Sequence, residues 1–176
     1  CSNGLVFIPH LLGERTPVWN PDTRALFFGI SRAHQRKDFT RAVFEGLAYS
    51  VMHIADVLKE FDVSIDKVAV AGGVSQISLI NQIKSDVLGV PIIKYKNFES
   101  TAIGAALITL SCTKYYSSTE EAFNEFCQVE RIYEPNIKNH DIYSDFFNLY
   151  KKIYTSLEDV HKDRAGIMKK YKQKGV

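Results

Sequence analysis

Cysteine is scarce in this chain, and so is any pattern among the three present, Cys1, Cys112 and Cys127. They form no CxxC pair and no metal-ligand spacing, which excludes a disulfide scaffold and points to reduced thiols in a cytoplasmic protein. No apolar run approaches the ~20 residues that a membrane helix needs. No basic segment precedes an apolar stretch near Cys1, so no secretory leader is expected. A charge excess is missing too: 22 basic residues face 20 acidic ones for a net charge of +2, which gives no reason to expect nucleic acid or an anionic membrane as partner. The stretch Lys169-Lys170-Tyr171-Lys172-Gln173-Lys174 is a local exception and reads as a frayed, solvated tail over 165–176. The histidines, at 10, 34, 53, 140 and 161, lack zinc-motif spacing. There is no G-x-S-x-G and no Walker A loop. No catalytic residue and no metal ligand is therefore assigned.

What is present is the material of a folded α/β domain. Of 176 residues, 45% are hydrophobic and 12% aromatic, enough for one domain with a real core. Residues 4–12 are almost continuously apolar, which predicts a strand buried on both faces and ending near Pro9. A polar loop, 13–22, follows and holds the only tryptophan, Trp19. Over 37–61, Val43, Leu47, Val51, Ile54, Leu58 and Phe61 recur at helical spacing and predict one apolar face, with Asp38 or Thr40 as cap. A strand at 68–71, a helix over 75–88 stopped by Gly89, a strand at 90–95 and a small-residue helix over 100–110 come next. This alternation predicts a largely parallel sheet. Ser118-x-x-Glu121 reads as a capping box. A long helix over 141–161 closes the chain, with Ile142, Phe146, Leu149, Tyr150, Ile153, Tyr154 and Leu157 as its apolar face.

Gly72-Gly73 is the most informative pair. It joins a strand to a helix, where missing side chains and exposed N–H groups favour an anionic ligand such as ATP; a tight strand-to-helix connection is the plainer alternative. Gly13-Glu14-Arg15-Thr16-Pro17 sets opposite charges side by side in a loop. Its expected role is structural, Glu14 accepting from backbone N–H groups and Arg15 bonding carbonyls. Arg41 and Glu45 are four apart and suit a solvated helix pair. Gly46 is costly in mid-helix and calls for close approach by another backbone. The small residues of 100–106 suit close helix packing, with a nearby ligand as the sharper alternative.

In this order the pieces resemble the C-terminal domain of the FGGY carbohydrate kinases, a family that includes xylulokinase, gluconokinase and glycerol kinase. The resemblance is carried by residues 3–17, residues 19–29 with Trp19-Asn20-Pro21-Asp22, Arg41-Ala42-Val43-Phe44-Glu45-Gly46, Ala71-Gly72-Gly73 with Gln82 and Asp86-Val87-Leu88-Gly89, and Glu99-Ser100 with Gly104-Ala105-Ala106. The helix bearing Tyr143 and Tyr150 suits the family's closing helix.

The resemblance implies a ribonuclease-H-like, actin-like ATPase domain that lacks its first strands. It implies an ATP-dependent kinase acting with Mg2+, transferring the γ-phosphate to a sugar hydroxyl, with a ketopentose such as D-xylulose as the first substrate. Gluconate or another polyol is the alternative, and a non-catalytic actin-like interaction module is the rival of another class. Gly72 and Gly73 fall where the family approaches the nucleotide, with Val74, Ser75 and Ser78 beside them. Glu14, Arg15, Arg41 and Glu45 would order loops and the domain interface. The sugar would be met through an N-terminal domain, which would also supply a catalytic Asp; that domain and a phosphate-binding Gly-Thr turn are not in these residues. The chain alone would then be inactive, and a homodimer stands as an option for its assembly. Ile77 and Ala25 depart from the pattern, where the family more often has a small polar residue and a glycine; Ser78 stands near enough to replace the former.

Overall fold

The computed structural model describes residues 1–97 and 99–172. In chain order the elements are β1 (Val6–Ile8), β2 (Leu26–Phe28), α1 (Arg36–Glu60), β3 (Val68–Val70), a 3-10 turn (Gly73–Gln76), α2 (Ser78–Leu88), β4 (Ile92–Tyr95), α3 (Ser100–Cys112), α4 (Thr119–Phe126), β5 (Val129–Tyr133), α5 (Ile137–Ser156) and α6 (Glu158–Lys172). They form two compact units, Cys1–Ser64 with Ile137–Val176, and Ile65–Asn136.

In the first unit β1 and β2 pair antiparallel, with Phe7 opposite Phe27. Both α1 and α5 pack on β1, so all three β1 residues are buried, as a continuous apolar strand requires. Gly46 explains how α1 comes so close. A Cβ there would stand 2.3 Å from the Phe7 carbonyl oxygen, so the helix meets strand backbone directly. Asp38 closes the first turn of α1 from its third position: its Oδ2 accepts from the Gln35 N–H at 2.8 Å, and Gln35 is the cap residue.

The expected face of α1 is corrected by its burial. The closed stripe is Ala42, Glu45, Gly46 and Tyr49, whereas Val43, Leu47, Val51 and Ile54 are half-buried and Leu58 and Phe61 exposed. Small residues and one carboxylate allow closer contact than an aliphatic stripe does. In α5 the expected Tyr150, Ile153 and Tyr154 are buried, and the face is rotated by about one residue only in the earlier turns. Tyr143, Phe147, Tyr150, Ile153 and Tyr154 face inward, while Ile142 is exposed. Tyrosine side chains fill the core and carry hydroxyls to the buried acids. The helix expected over 141–161 starts earlier, and the chain continues as α6 to Lys172; Gln173 and Lys174 of the basic stretch lie outside the described residues.

The second unit holds a three-stranded sheet in the order β3-β4-β5. β3 and β4 are parallel, with Val68 opposite Ile92; β4 and β5 are antiparallel, with Ile92 opposite Tyr133. The sheet is therefore mixed rather than largely parallel. Two helices that contact each other, α3 and α4, connect β4 to β5. The chain re-enters the sheet at the end where β4 stopped, and β5 runs back. The helix expected over 75–88 is divided into the 3-10 turn and α2. Ser118 caps α4 by accepting from the Glu121 N–H at 3.1 Å, while the Glu121 carboxylate turns back to the Ser117 N–H at 2.9 Å. The small residues of α3 are not closely packed: only Leu107 is buried, and nothing lies within 4 Å of a Cβ built on Gly104.

Candidate functional site

The Gly72-Gly73 turn grows out of the end of β3. Gly72 has φ 77° and ψ 176°, a conformation open essentially to glycine alone. That geometry turns its carbonyl inward, where it accepts from the Ser75 N–H at 3.1 Å and the Ser75 hydroxyl at 2.7 Å. The Asn81 amide, wholly buried, donates to the Ser75 carbonyl at 2.7 Å and fixes the turn from beneath. Carbonyls are thus drawn in and N–H groups left out. Among the described residues, no hydrogen bond engages the N–H of Gly73 or Val74, as expected at the start of a helical turn. No heavy atom lies within 4 Å of a Cβ built on Gly72 or Gly73.

The other candidates divide by exposure. Val74 and Ile77 present apolar side chains to solvent. Ser75 is buried, with its hydroxyl engaged by Gly72. Ser78 opens α2 at the surface and accepts from the Tyr133 hydroxyl at 3.2 Å. Such a surface offers backbone donors for anionic oxygens and an apolar flank for a flat group. Among the described residues no group of three or more His, Cys, Asp or Glu side chains is placed to hold a metal ion.

α2 is held in place by its polar side. Gln82 donates to Asp86 Oδ1 and to the Glu134 carbonyl, both at 2.8 Å, and Asp86 Oδ1 also accepts from the Asn136 N–H at 2.9 Å. Sequence reasoning missed Asn81 and Tyr133 as supports of the turn. The signal for Asn81 was a polar residue within the apolar run that includes Ile80, Ile83 and Val87. Tyr133 gave none, since the rest of β5 is exposed.

The charged residues of the first unit serve its interior. Glu45 is buried and accepts from the Ser2 hydroxyl at 2.7 Å, Arg41 Nε at 2.9 Å and the Tyr143 hydroxyl at 3.0 Å. The expectation of a solvated Arg41–Glu45 pair is corrected: Tyr143 and Ser2 close over it. Burial, and then the Glu45 charge, pushes the Tyr143 phenol up to about 12, so it remains a donor at neutral pH. Glu14 is also buried, and its carboxylate accepts from the Tyr154 hydroxyl rather than from backbone N–H groups. Arg15 is exposed and makes no hydrogen bond or ion pair among the described residues, so the expected carbonyl bonds do not form. A phenol supplied by α5 replaces them for Glu14.

The sequence profile of the FGGY family of carbohydrate kinases, C-terminal domain, matches residues 2–111. Over 162 residues the chain is 32% identical to the xylulose kinase of Staphylococcus epidermidis, covering 92% of this chain and 33% of that protein. It is 34% identical over 113 residues to the gluconokinase of Bacillus subtilis, covering 64% of this chain and 22% of that protein. Among solved structures, the ligand-bound xylulose kinase from Lactobacillus acidophilus superimposes with a TM-score of 0.83 at 27% identity, covering 92% of this chain and 33% of that one. The chain spans about a third of the length of the xylulose kinases it matches. The neighbouring structures are sugar kinases of the actin-like ATPase fold, and they match this chain as a fragment of themselves. The glycine turn, the Glu14 loop and the Glu45 helix all lie within the matched stretch, and the chain belongs to the FGGY family of carbohydrate kinases, which it matches in the C-terminal domain.

Proposed function

We propose that this chain is the nucleotide-binding part of an ATP-dependent sugar kinase, transferring the γ-phosphate of Mg-ATP to a hydroxyl of a ketopentose such as D-xylulose. The observation that carries the reading is the outward backbone of the Gly72-Gly73 turn, within residues that match this kinase family. The residues fit a nucleotide. The N–H groups of Gly73 and Val74 would meet phosphate oxygens, and the bare Cα of Gly72 and Gly73 would let them approach. Val74 and Ile77 would flank the base, with the Ser78 hydroxyl as the polar contact at its edge. Ser75 would act from beneath, by holding the Gly72 carbonyl. Mg2+ would arrive on the phosphates, since the described residues offer no cage for it.

Phosphoryl transfer depends on placing two reactants in line and stabilising the charge between them. This chain would supply one reactant's seat. The sugar seat and the catalytic base would come from an N-terminal domain, so the 176 residues alone are expected to be inactive. A cytoplasmic location belongs to the same reading. The 34% identity to a gluconokinase favours gluconate as second substrate. Ile77, where the family more often has a small polar residue, favours a non-catalytic actin-like interaction module as the rival reading.

The test is calorimetric titration of ADP and ATP into the polypeptide that joins this chain to an N-terminal kinase domain, followed by coupled assays with D-xylulose, gluconate and glycerol. Nucleotide binding and D-xylulose turnover are expected. Binding without turnover of any sugar would favour the module, and no binding at all would remove the nucleotide reading.

A further inference from the structure

α6 follows α5 through a turn at Leu157, and the His161 N–H bonds the Leu157 carbonyl at 2.9 Å, so the helical winding carries across the joint. Ile153, Ser156, Val160, Arg164, Ile167 and Tyr171 recur there at steps of three and four, which places them in one stripe. In α6 the stripe is bare: Val160, Ile167 and Tyr171 are 56%, 57% and 48% exposed. The helix packs by another side, where His161 is buried and Ala165 half-buried. In α5 the stripe runs into an apolar groove of about 350 Å3, lined by Phe28, Leu149, Ile153, Ser156 and Leu157. An apolar stripe continued by an apolar groove marks an interaction surface.

The charges of α6 say what covers it. Glu158, Asp159 and Asp163 make the first half acidic, with Lys162 tied to Asp159 at 3.1 Å; Arg164, Lys169 and Lys170 make the rest basic. The acidic half repels an anionic lipid surface or a nucleic acid. A parallel second copy sets like charges together. An antiparallel second copy sets each acidic half against a basic one.

We propose that α6 is a dimerisation helix that docks antiparallel on the α6 of a second copy of this chain, with Val160, Ile167 and Tyr171 in the seam and Asp163 of each copy beside Lys170 of the other.

The spacing supports a symmetric pair. With the two-fold axis between Ala165 and Gly166, Val160 faces Tyr171 of the other copy at the mouth of the groove. The aliphatic stem of Arg164 faces Ile167 of the other copy. Asp163 and Lys170 are two turns apart and border the stripe on the same flank. In an antiparallel pair like flanks meet, so the Asp163–Lys170 contact forms twice, as two-fold symmetry requires. One helix pair buries less than the ~1,600 Å2 of a standard interface, so the dimer is weak and depends on concentration.

The experiment is sedimentation velocity of the 176-residue chain over a concentration series, with far-UV ellipticity as the control for folding. A monomer–dimer equilibrium is expected. Asp163→Lys and Lys170→Asp each set like charges together twice, and each should weaken the dimer at least ~10-fold. Both reversals in one chain, or an equimolar mixture of the two single variants, should restore it. Val160→Asp/Ile167→Asp should be monomeric. The four side chains are exposed, so ellipticity should stay constant. A chain that is monomeric even at about 1 mM, or dimers equally strong in both single variants, would overturn the proposal. Should a variant lose ellipticity, carbodiimide coupling of mixed 14N and 15N unaltered chains decides. An intermolecular Asp163–Lys170 link supports the antiparallel pair; intermolecular links only elsewhere overturn it.

Discussion

Both units bury carboxylates as internal ties, Asp86 being the one in the second, but they differ in what they leave at the surface. In the first, Glu14, Asp38 and Glu45 are all buried, and each accepts a hydrogen bond within the unit. In the second, the Gly72-Gly73 turn draws its carbonyl inward and leaves N–H groups facing outward. The contrast separates residues that build from those proposed to bind. Charged side chains attract attention in a sequence, yet here they are internal ties, and the surface suited to a ligand is backbone made accessible by two missing side chains.

Breaking the ties should cost more stability than altering the turn. Glu45→Ala removes the acceptor of the buried Ser2 and Tyr143 hydroxyls and of the part-exposed Arg41, and should destabilise the chain by about 2–4 kcal/mol, read as a loss of urea midpoint. Gly46→Ala drives a methyl against the Phe7 carbonyl, which is backbone and cannot swing aside; a loss of about 1–3 kcal/mol should appear in the same unfolding curve. Gly72→Ala meets no obstacle in space but keeps φ at 77° with ψ at 176°, a strain of about 1–3 kcal/mol that thermal unfolding would register. Gly73→Ala has open space and no positive φ, so its stability should change by no more than about 0.5 kcal/mol. That last variant sharpens the comparison most, because its whole effect should fall on ligand affinity.

How far the sequence led depends on what each element is made of. α1 was legible within a residue or two because a polar start and a long apolar period mark it. The close approach at Gly46 was legible too, since an interior glycine needs a reason. The face of α1 was misread because its buried stripe is made of Ala, Gly, Glu and Tyr rather than aliphatic residues; that of α5 was right at Tyr150, Ile153 and Tyr154 and missed Tyr143 and Phe147. Tyr154 was counted in the apolar face and Tyr143 was not, but an apolar tally says nothing of the hydroxyls by which they bond to Glu14 and Glu45. β2 and β5 passed unseen: one has three residues, and the other is exposed along most of its length. At the candidate site the glycines and their exposure could be anticipated. The inward hydroxyl of Ser75 could not, because it follows from the tight 3-10 turn rather than from residue type.

The central claim is that the Gly72-Gly73 turn seats the nucleotide by its backbone. It is tested most directly by titrating ADP into the polypeptide that joins this chain to an N-terminal kinase domain, with and without Gly73→Ala, alongside urea unfolding of both proteins. The account predicts at least ~10-fold weaker binding in the variant, about 1.4 kcal/mol, with an unchanged unfolding midpoint. Equal affinity in the two proteins would contradict it.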